Sequence, residues 1–167
     1  LGGGEYGLAL AQLLEGSKCR IRILERSKAR CEFLLHELPR TVALNVDATS
    51  LNELTEEQVG AADFFIAVTG HDEDNVMMCL QAATLGTQRT IALVQRADYA
   101  DVITDRKEQL GIAAVSPRSV TTRDLLRFVT SEKFHTVMTL PGDTEVIGFP
   151  ISEKCPLNER PVAELGL

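Results

Sequence analysis

Absences narrow this 167-residue sequence before any motif is read. No apolar run approaches the roughly 20 residues of a membrane-spanning helix, and no secretory leader is visible. No cluster of lysines and arginines occurs either, and the formal net charge of −7 would repel the phosphates of a nucleic acid. The four cysteines, Cys19, Cys31, Cys79 and Cys155, lack C-x-x-C spacing, which removes the common zinc and dithiol arrangements. Three of them sit in apolar contexts and read as small core residues. What remains, 44% hydrophobic and 25% charged, is a globular chain able to bury one substantial core with a small appendage, expected in the cytoplasm.

The stretch that organises the chain is Gly2-Gly3-Gly4-Glu5-Tyr6-Gly7, which spells G-x-G-x-x-G and runs into the apolar-periodic segment Leu8, Leu10, Ala11, Leu13 and Leu14. In a dinucleotide-binding unit the first glycine makes the turn out of a strand, the second admits a pyrophosphate, and the third lets helix and sheet pack closely. The helix that starts here aims free N–H groups and its positive dipole end at the phosphates. The strand-like run Ile21-Arg22-Ile23-Leu24-Glu25 then ends in an acid 18 residues past Gly7, where a ribose-binding carboxylate is expected. A carboxylate accepts hydrogen bonds from ribose hydroxyls and repels a 2′-phosphate, so Glu25 favours NAD or another adenine nucleotide over NADP. Arg26 pulls the other way, since its guanidinium can stack on adenine or meet a phosphate.

One more absence concerns the front of the chain. The fingerprint needs a strand before Gly2, and only Leu1 precedes it, so the first strand of the expected sheet is absent from the chain. After it, strand and helix alternate: helix 5–14, strand 19–25, helix 27–38 with Ser27 as N-cap and Phe33, Leu34 and Leu38 on one face, and strand 41–46. A helical turn at 51–59 leads to strand 63–68, helix 72–85 stopped by Gly86, strand 90–95, helix 99–110 and strand 112–115. Strict alternation means parallel pairing, hence an α/β fold with a Rossmann-like doubly wound parallel sheet. Ligands lie at the carboxyl ends of such strands, where Gly2 to Gly7, Glu25, Asp47 and Thr69-Gly70 converge.

Past residue 116 the character changes. Ser116-Pro117 opens a helix over 118–130 with Val120, Leu125, Phe128 and Val129 as apolar positions. Two strands, 135–140 and 144–151, follow around the turn Pro141-Gly142-Asp143, and Pro161 to Leu165 begins a further helix. The expected division is a nucleotide-binding domain over 1–130 with a crossover helix, then a linker and the truncated start of a small α+β domain over 131–167.

The runs Gly2-Gly3-Gly4, Ile23 to Arg26, Asp47-Ala48-Thr49, Phe65 to Thr69, Asp72-Glu73 with Asn75, Gln95-Arg96 with Tyr99, and Ser116-Pro117 resemble the regulator-of-potassium-conductance (RCK) domain. Within that family they are most similar to the NAD-binding halves of TrkA-type subunits of bacterial potassium-uptake systems. Residues 151–167, with Cys155-Pro156-Leu157 and Pro161 to Leu165, are similar to the opening of the small C-terminal domain that often follows. The resemblance implies that Gly2, Gly3, Gly4, Glu5 and Tyr6 give backbone donors to the pyrophosphate and that Glu25 holds the adenosine ribose. It also puts Asp47 and Ala48 near the adenine and Thr69-Gly70 beside the nicotinamide or terminal phosphates. Two departures stand out: Val46 replaces a frequent glycine, and strand 90–95 lacks a basic residue near Leu93. The missing charge tilts the expectation from ATP toward NAD, NADH or ADP.

No catalytic set accompanies this cofactor site. His71 reads as a general base or as an exposed loop residue, and Asp72-Glu73-Asp74 as a cation site or as a complement to the helix dipole. The resemblance therefore implies a regulatory subunit rather than an enzyme. It would be a cytoplasmic nucleotide sensor that meets a membrane potassium-transporter or channel subunit and forms a homodimer or ring. The alternative is a fragment of an NAD-dependent dehydrogenase or epimerase.

Overall fold

Short apolar runs broken by glycine, proline and small polar residues fold as alternating strands and helices in the computed structural model, which describes residues 1–130, 136–140, 144–148 and 155. In chain order these are α1 (Glu5–Glu15), β1 (Arg22–Glu25), α2 (Lys28–Glu37), β2 (Val42–Asn45), α3 (Leu51–Glu56), a 3-10 turn (Val59–Ala61), β3 (Phe64–Ala67) and α4 (Asp72–Leu85). Then come β4 (Arg89–Leu93), α5 (Ala97–Asp105), α6 (Lys107–Leu110), β5 (Ile112–Val115), α7 (Pro117–Thr130), β6 (Thr136–Leu140) and β7 (Thr144–Gly148). Local chemistry sets the ends. The Ser27 hydroxyl accepts the Arg30 N–H at 3.3 Å and caps α2. Gly86, at φ 114, takes the left-handed turn that closes α4.

All strands up to β5 pair in parallel. β1 lies beside β2 with Ile23 opposite Ala43, and β4 sits between β3 and β5 with Ile91 opposite both Ile66 and Ala113. Leu1 and Gly2 lie between the two blocks: the Gly2 N–H donates to Leu24 O at 3.0 Å and the Val68 N–H donates to Leu1 O at 2.9 Å. The strand order thus reverses direction at Leu1-Gly2, with β1 and β2 to one side and β3, β4 and β5 to the other. Such a reversal point is where parallel α/β sheets open a crevice.

Consecutive residues of β1 point to opposite faces of the sheet and into different cores. Ile23 joins Ala11 of α1 and Leu34 of α2, with Leu38 completing a small cluster. Leu24 joins a larger one with Leu54, Phe65, Ala67, Met78, Cys79, Ala82, Ala92, Val94, Ile103 and Ile112. Both faces are covered, which is the doubly wound arrangement. The contacts divide the chain into unit Leu1–Ser119 and unit Val120–Leu167, with the boundary inside α7. In the second unit β6 and β7 pair antiparallel, Met138 opposite Val146.

Several expectations need correction. The helix over 99–110 starts at Ala97 and breaks at Arg106, whose φ of −110 and ψ of 17 leave helical geometry and separate α5 from α6. Phe33 does not share the face of Leu34 and Leu38; it is exposed, with the Arg30 guanidinium 4.6 Å from its ring centre. Leu13 is 81% exposed, because Ala11 carries the buried contact of α1. Only two cysteines are buried, Cys31 and Cys79, while Cys19 is exposed and Cys155 half-buried. Burial pushes the Cys79 thiol up to about 11, so it stays protonated and acts as a small apolar side chain. The turn at 141–143, the strand residues 149–151, and the helical turn at 161–165 lie outside the described residues.

Candidate functional site

The site begins where Leu1-Gly2 leaves the sheet. Gly2 adopts φ 96, and a Cβ there would lie 3.0 Å from the Val68 carbonyl carbon. The chain then enters α1, whose first turn passes so close to Gly2 that a Cβ at Gly7 would meet the Gly2 oxygen at 2.0 Å. Glycine at both positions lets the helix start directly against the strand ends. Gly4 is different: it is the N-cap, no side chain caps it, and a Cβ there would meet nothing within 4 Å. The first bond of the helix runs from the Leu8 N–H to Gly4 O, which leaves Glu5 and Tyr6 without intrahelical acceptors for their N–H groups. Free N–H groups, a helix dipole and open space together can accept an anion.

Glu25 and Arg30 hold that loop from below. The Gly3 N–H donates to Glu25 Oε2 at 2.8 Å, and the Gly3 carbonyl accepts from Arg30 Nε at 2.6 Å, so the peptides on both sides of one residue are held. Glu25 Oε1 accepts the Ser27 N–H at 2.8 Å, and Arg30 Nη2 lies 3.3 Å from Glu5 Oε1. A carboxylate has about four acceptor positions, so Glu25 keeps lone pairs for a further donor. Gly3 is buried beneath it, where a Cβ would meet Leu34 Cδ1 at 2.5 Å.

The facing wall comes from the ends of β2 and β3. Asp47 Oδ1 accepts from Thr49 Oγ1 at 2.8 Å and from the Thr49 N–H at 3.2 Å, and these bonds hold the Asp47 carboxyl below the usual carboxylate range. It is ionised at neutral pH. After β3, Thr69 is tied to Asn75 of α4 by hydrogen bonds through its N–H, its hydroxyl and its carbonyl. Gly70 next to it is exposed, with nothing within 4 Å of a built Cβ.

These walls enclose a cavity of about 350 Å³. Of the twelve residues expected from the sequence, Gly2, Gly4, Glu25, Arg26, Asp47, Ala48, Thr69 and Gly70 line it, while Gly3, Glu5, Tyr6 and Gly7 do not. The cavity also takes in Val46, Val68, Thr49, Asp74 and Met78, none of them among the residues expected to bind nucleotide. Val46 and Val68 carried a usable signal, because each is the strand-end residue directly before an expected one. His71 lines the cavity too, and is exposed. Among the described residues no hydrogen bond involves its imidazole, so no acid orients it as a base. Asp72 is committed elsewhere, its carboxylate accepting the N–H groups of Gln95 at 2.8 Å and Arg96 at 3.0 Å. Among the described residues, the side chains of Glu25, Asp47 and Asp74 bring three carboxylates to the cavity and Arg26 one guanidinium, a balance that suits hydroxyl groups better than a third phosphate.

Parallel strands, helices on both faces and a glycine turn at the reversal point make this a Rossmann-like domain. The chain belongs to the TrkA-N domain family, which matches residues 1–117. It is 34% identical over 165 residues to the Trk system potassium uptake protein trkA homolog 1 of Methanosarcina mazei, covering 97% of this chain. The chain spans 40% of that relative's length. Among solved structures it is similar to the TrkA-N domain of the inner membrane protein ybaL from Escherichia coli, with a TM-score of 0.66 at 19% identity over 77% of this chain and 92% of the other. The GsuK channel bound to NAD is also similar, with a TM-score of 0.60 at 20% identity over 84% of this chain and 24% of that one. The same channel has been solved bound to ADP. At these identities the structural likeness concerns the fold.

Proposed function

We propose that the chain is the nucleotide-sensing part of a regulatory subunit of a potassium transporter or channel, and that its cavity binds NAD, NADH or ADP. The observation that carries this reading is the open space at Gly4, at the N-terminus of α1 and on the same rim of the cavity as the Glu25 carboxylate. The peptide N–H groups of Gly4, Glu5 and Tyr6 receive the pyrophosphate, and Glu25 accepts hydrogen bonds from the adenosine ribose. Gly2, Gly3 and Gly7 serve by letting the backbone come close. Arg26, Asp47 and Ala48 border the adenosine, and Thr69-Gly70 borders the nicotinamide or terminal phosphate. The carboxylate-rich wall disfavours ATP relative to ADP.

Calorimetric titration with NAD, NADH, ADP and ATP tests the reading. Glu25→Ala is expected to weaken NAD binding by about 1.5–3 kcal/mol, the range for hydrogen bonds to a charged group. A folded variant with unchanged affinity would refute the role of Glu25.

The bound nucleotide acts as a signal and not as a reagent. A fragment of a dehydrogenase or epimerase would need an oriented acid and base, and His71 has no such partner among the described residues. Substrate-dependent change in NADH absorbance would favour that alternative. No helix of the described residues is long and apolar enough to cross a membrane, so the proposal places the chain in the cytoplasm, at the inner face of the cell membrane through its partner. A nucleotide can shift a pore only if it binds one arrangement of the subunits better than another.

Assembly with further copies supplies those arrangements. Leu125 and Phe128, three residues apart on α7 and so on one face, are 60% and 80% exposed. Burying a phenylalanine is worth about 1.5–3 kcal/mol, which favours covering this face in a two-fold dimer. Phe128→Asp is expected to lower the mass measured by light scattering from dimer to monomer while nucleotide binding survives. A wild-type chain that stays monomeric at high concentration would remove the dimer from the proposal.

A further inference from the structure

Asn75 lies one turn into α4 and has no solvent exposure. Its side-chain amide uses every hydrogen-bonding position it has. Oδ1 accepts the Thr69 N–H at 2.9 Å and the Thr69 hydroxyl at 2.7 Å, while Nδ2 donates to Thr69 O at 3.1 Å and to Leu93 O at 2.8 Å. An amide that served the core alone would satisfy itself on helix or strand. Three of these four bonds instead hold a loop residue that lines the cavity, and the fourth fastens that loop to the end of β4. The start of α4 is anchored a second time, through the Asp72 carboxylate on Gln95 and Arg96.

We infer that Asn75 is a positioning residue of the nucleotide site: it fixes the backbone of Thr69 so that the open peptide edge at Gly70 meets the ligand in a preformed conformation. The inference rests on the nucleotide-binding reading of the cavity. The proton of the Thr69 hydroxyl is spent on Asn75, so toward the ligand that side chain can only accept a hydrogen bond. Fixing the loop before binding removes an ordering cost that would otherwise be taken from affinity.

The test uses the full chain, with NAD and ADP as probes in calorimetry and amide exchange as a second readout. Asn75→Leu keeps the branched heavy-atom shape and removes all four bonds. It is compared with Thr87→Val, which removes a buried hydroxyl bonded to Val59 O at 2.9 Å just past the other end of α4 and outside the cavity. Both variants lower the melting temperature. The expected result is a loss of affinity of about tenfold or more for Asn75→Leu, the equivalent of one net hydrogen bond, with faster exchange at Thr69, and a change within about twofold for Thr87→Val. If Asn75→Leu does not fold, Asn75→Ser is read in the same way. An Asn75 variant that loses stability but binds as tightly as wild type shows a merely structural amide and overturns the inference. A wild-type chain that binds neither NAD nor ADP instead fails the nucleotide reading, and the inference with it, an outcome distinct from the former.

Discussion

Gly4→Val is expected to fold normally and to bind NAD about a hundredfold or more weakly, a loss of about 2.8 kcal/mol at 1.4 kcal/mol per decade. Gly4 has a negative φ of −66, so its backbone conformation is open to any L-residue. A Cβ there meets no protein atom within 4 Å, so nothing in the fold resists the side chain. Because Gly4 is the N-cap of α1 and valine is a poor cap residue, stability should fall by about 1 kcal/mol and no more. The isopropyl group would instead occupy the space that a pyrophosphate needs at the start of α1. Calorimetry and thermal melting separate the two effects. Retained binding in the folded variant would show that the phosphates lie elsewhere.

Gly7→Ala is expected to do the reverse and strike the fold itself. Its methyl would sit 2.0 Å from the Gly2 carbonyl oxygen, with the Gly2 carbon at 3.1 Å. Neither partner can step aside. Gly2 is held by its N–H on Leu24 O and by close contact with the Val68 backbone, and α1 is fixed by Ala11 in the small core. Overpacking costs about 1–3 kcal/mol and occasionally more, and a backbone-to-backbone clash belongs at the top of that range. A loss of about 3 kcal/mol lowers the melting temperature of a unit this size by on the order of 10 °C. Thermal unfolding followed by circular dichroism checks it, and a shift of less than about 2 °C would mean that α1 slides along its axis to admit the methyl. The two glycines of one motif thus serve different ends.

The pattern of elements was legible because each strand ends at a glycine, proline or polar cluster and each long helix has a cap or stop. The strand lengths were not. Cys19 and Ile21 extend the alternating apolar pattern ahead of β1, but pairing with β2 begins only at Arg22, since β2 offers partners from Val42 to Asn45. Pairing is a tertiary fact that one strand's sequence does not contain. Similarly, Leu13 fits the helical period of α1 yet remains exposed, because the small core needs only Ala11 among the buried apolar positions there.

At the site, spacing from the glycine motif led to Glu25, and strand ends led to Asp47 and Thr69. The second job of Glu25, holding the Gly3 N–H, was invisible because it depends on the loop folding back over the end of β1. Asn75 left a trace that periodicity could have found. It falls on the stripe Asn75, Met78, Cys79 and Ala82, all buried on one side of α4, and a lone amide on such a stripe calls for partners.

The division of apolar residues between two clusters bears on how the cavity behaves as a mechanical object. Gly2 to Gly7 and Glu25 are braced by a cluster of four buried side chains, whereas Thr69, Gly70 and Asn75 stand on one of fourteen. The two rims of the cavity are therefore unequal in stiffness, since the cost of local opening scales with the apolar contacts that must be undone. A ligand that touches both rims works as a tie between a yielding bank and a firm one, and its binding energy is spent chiefly on quieting the yielding one. β1 belongs to both banks, with Ile23 in the smaller cluster and Leu24 in the larger, so the yielding bank stays fastened to the firm one.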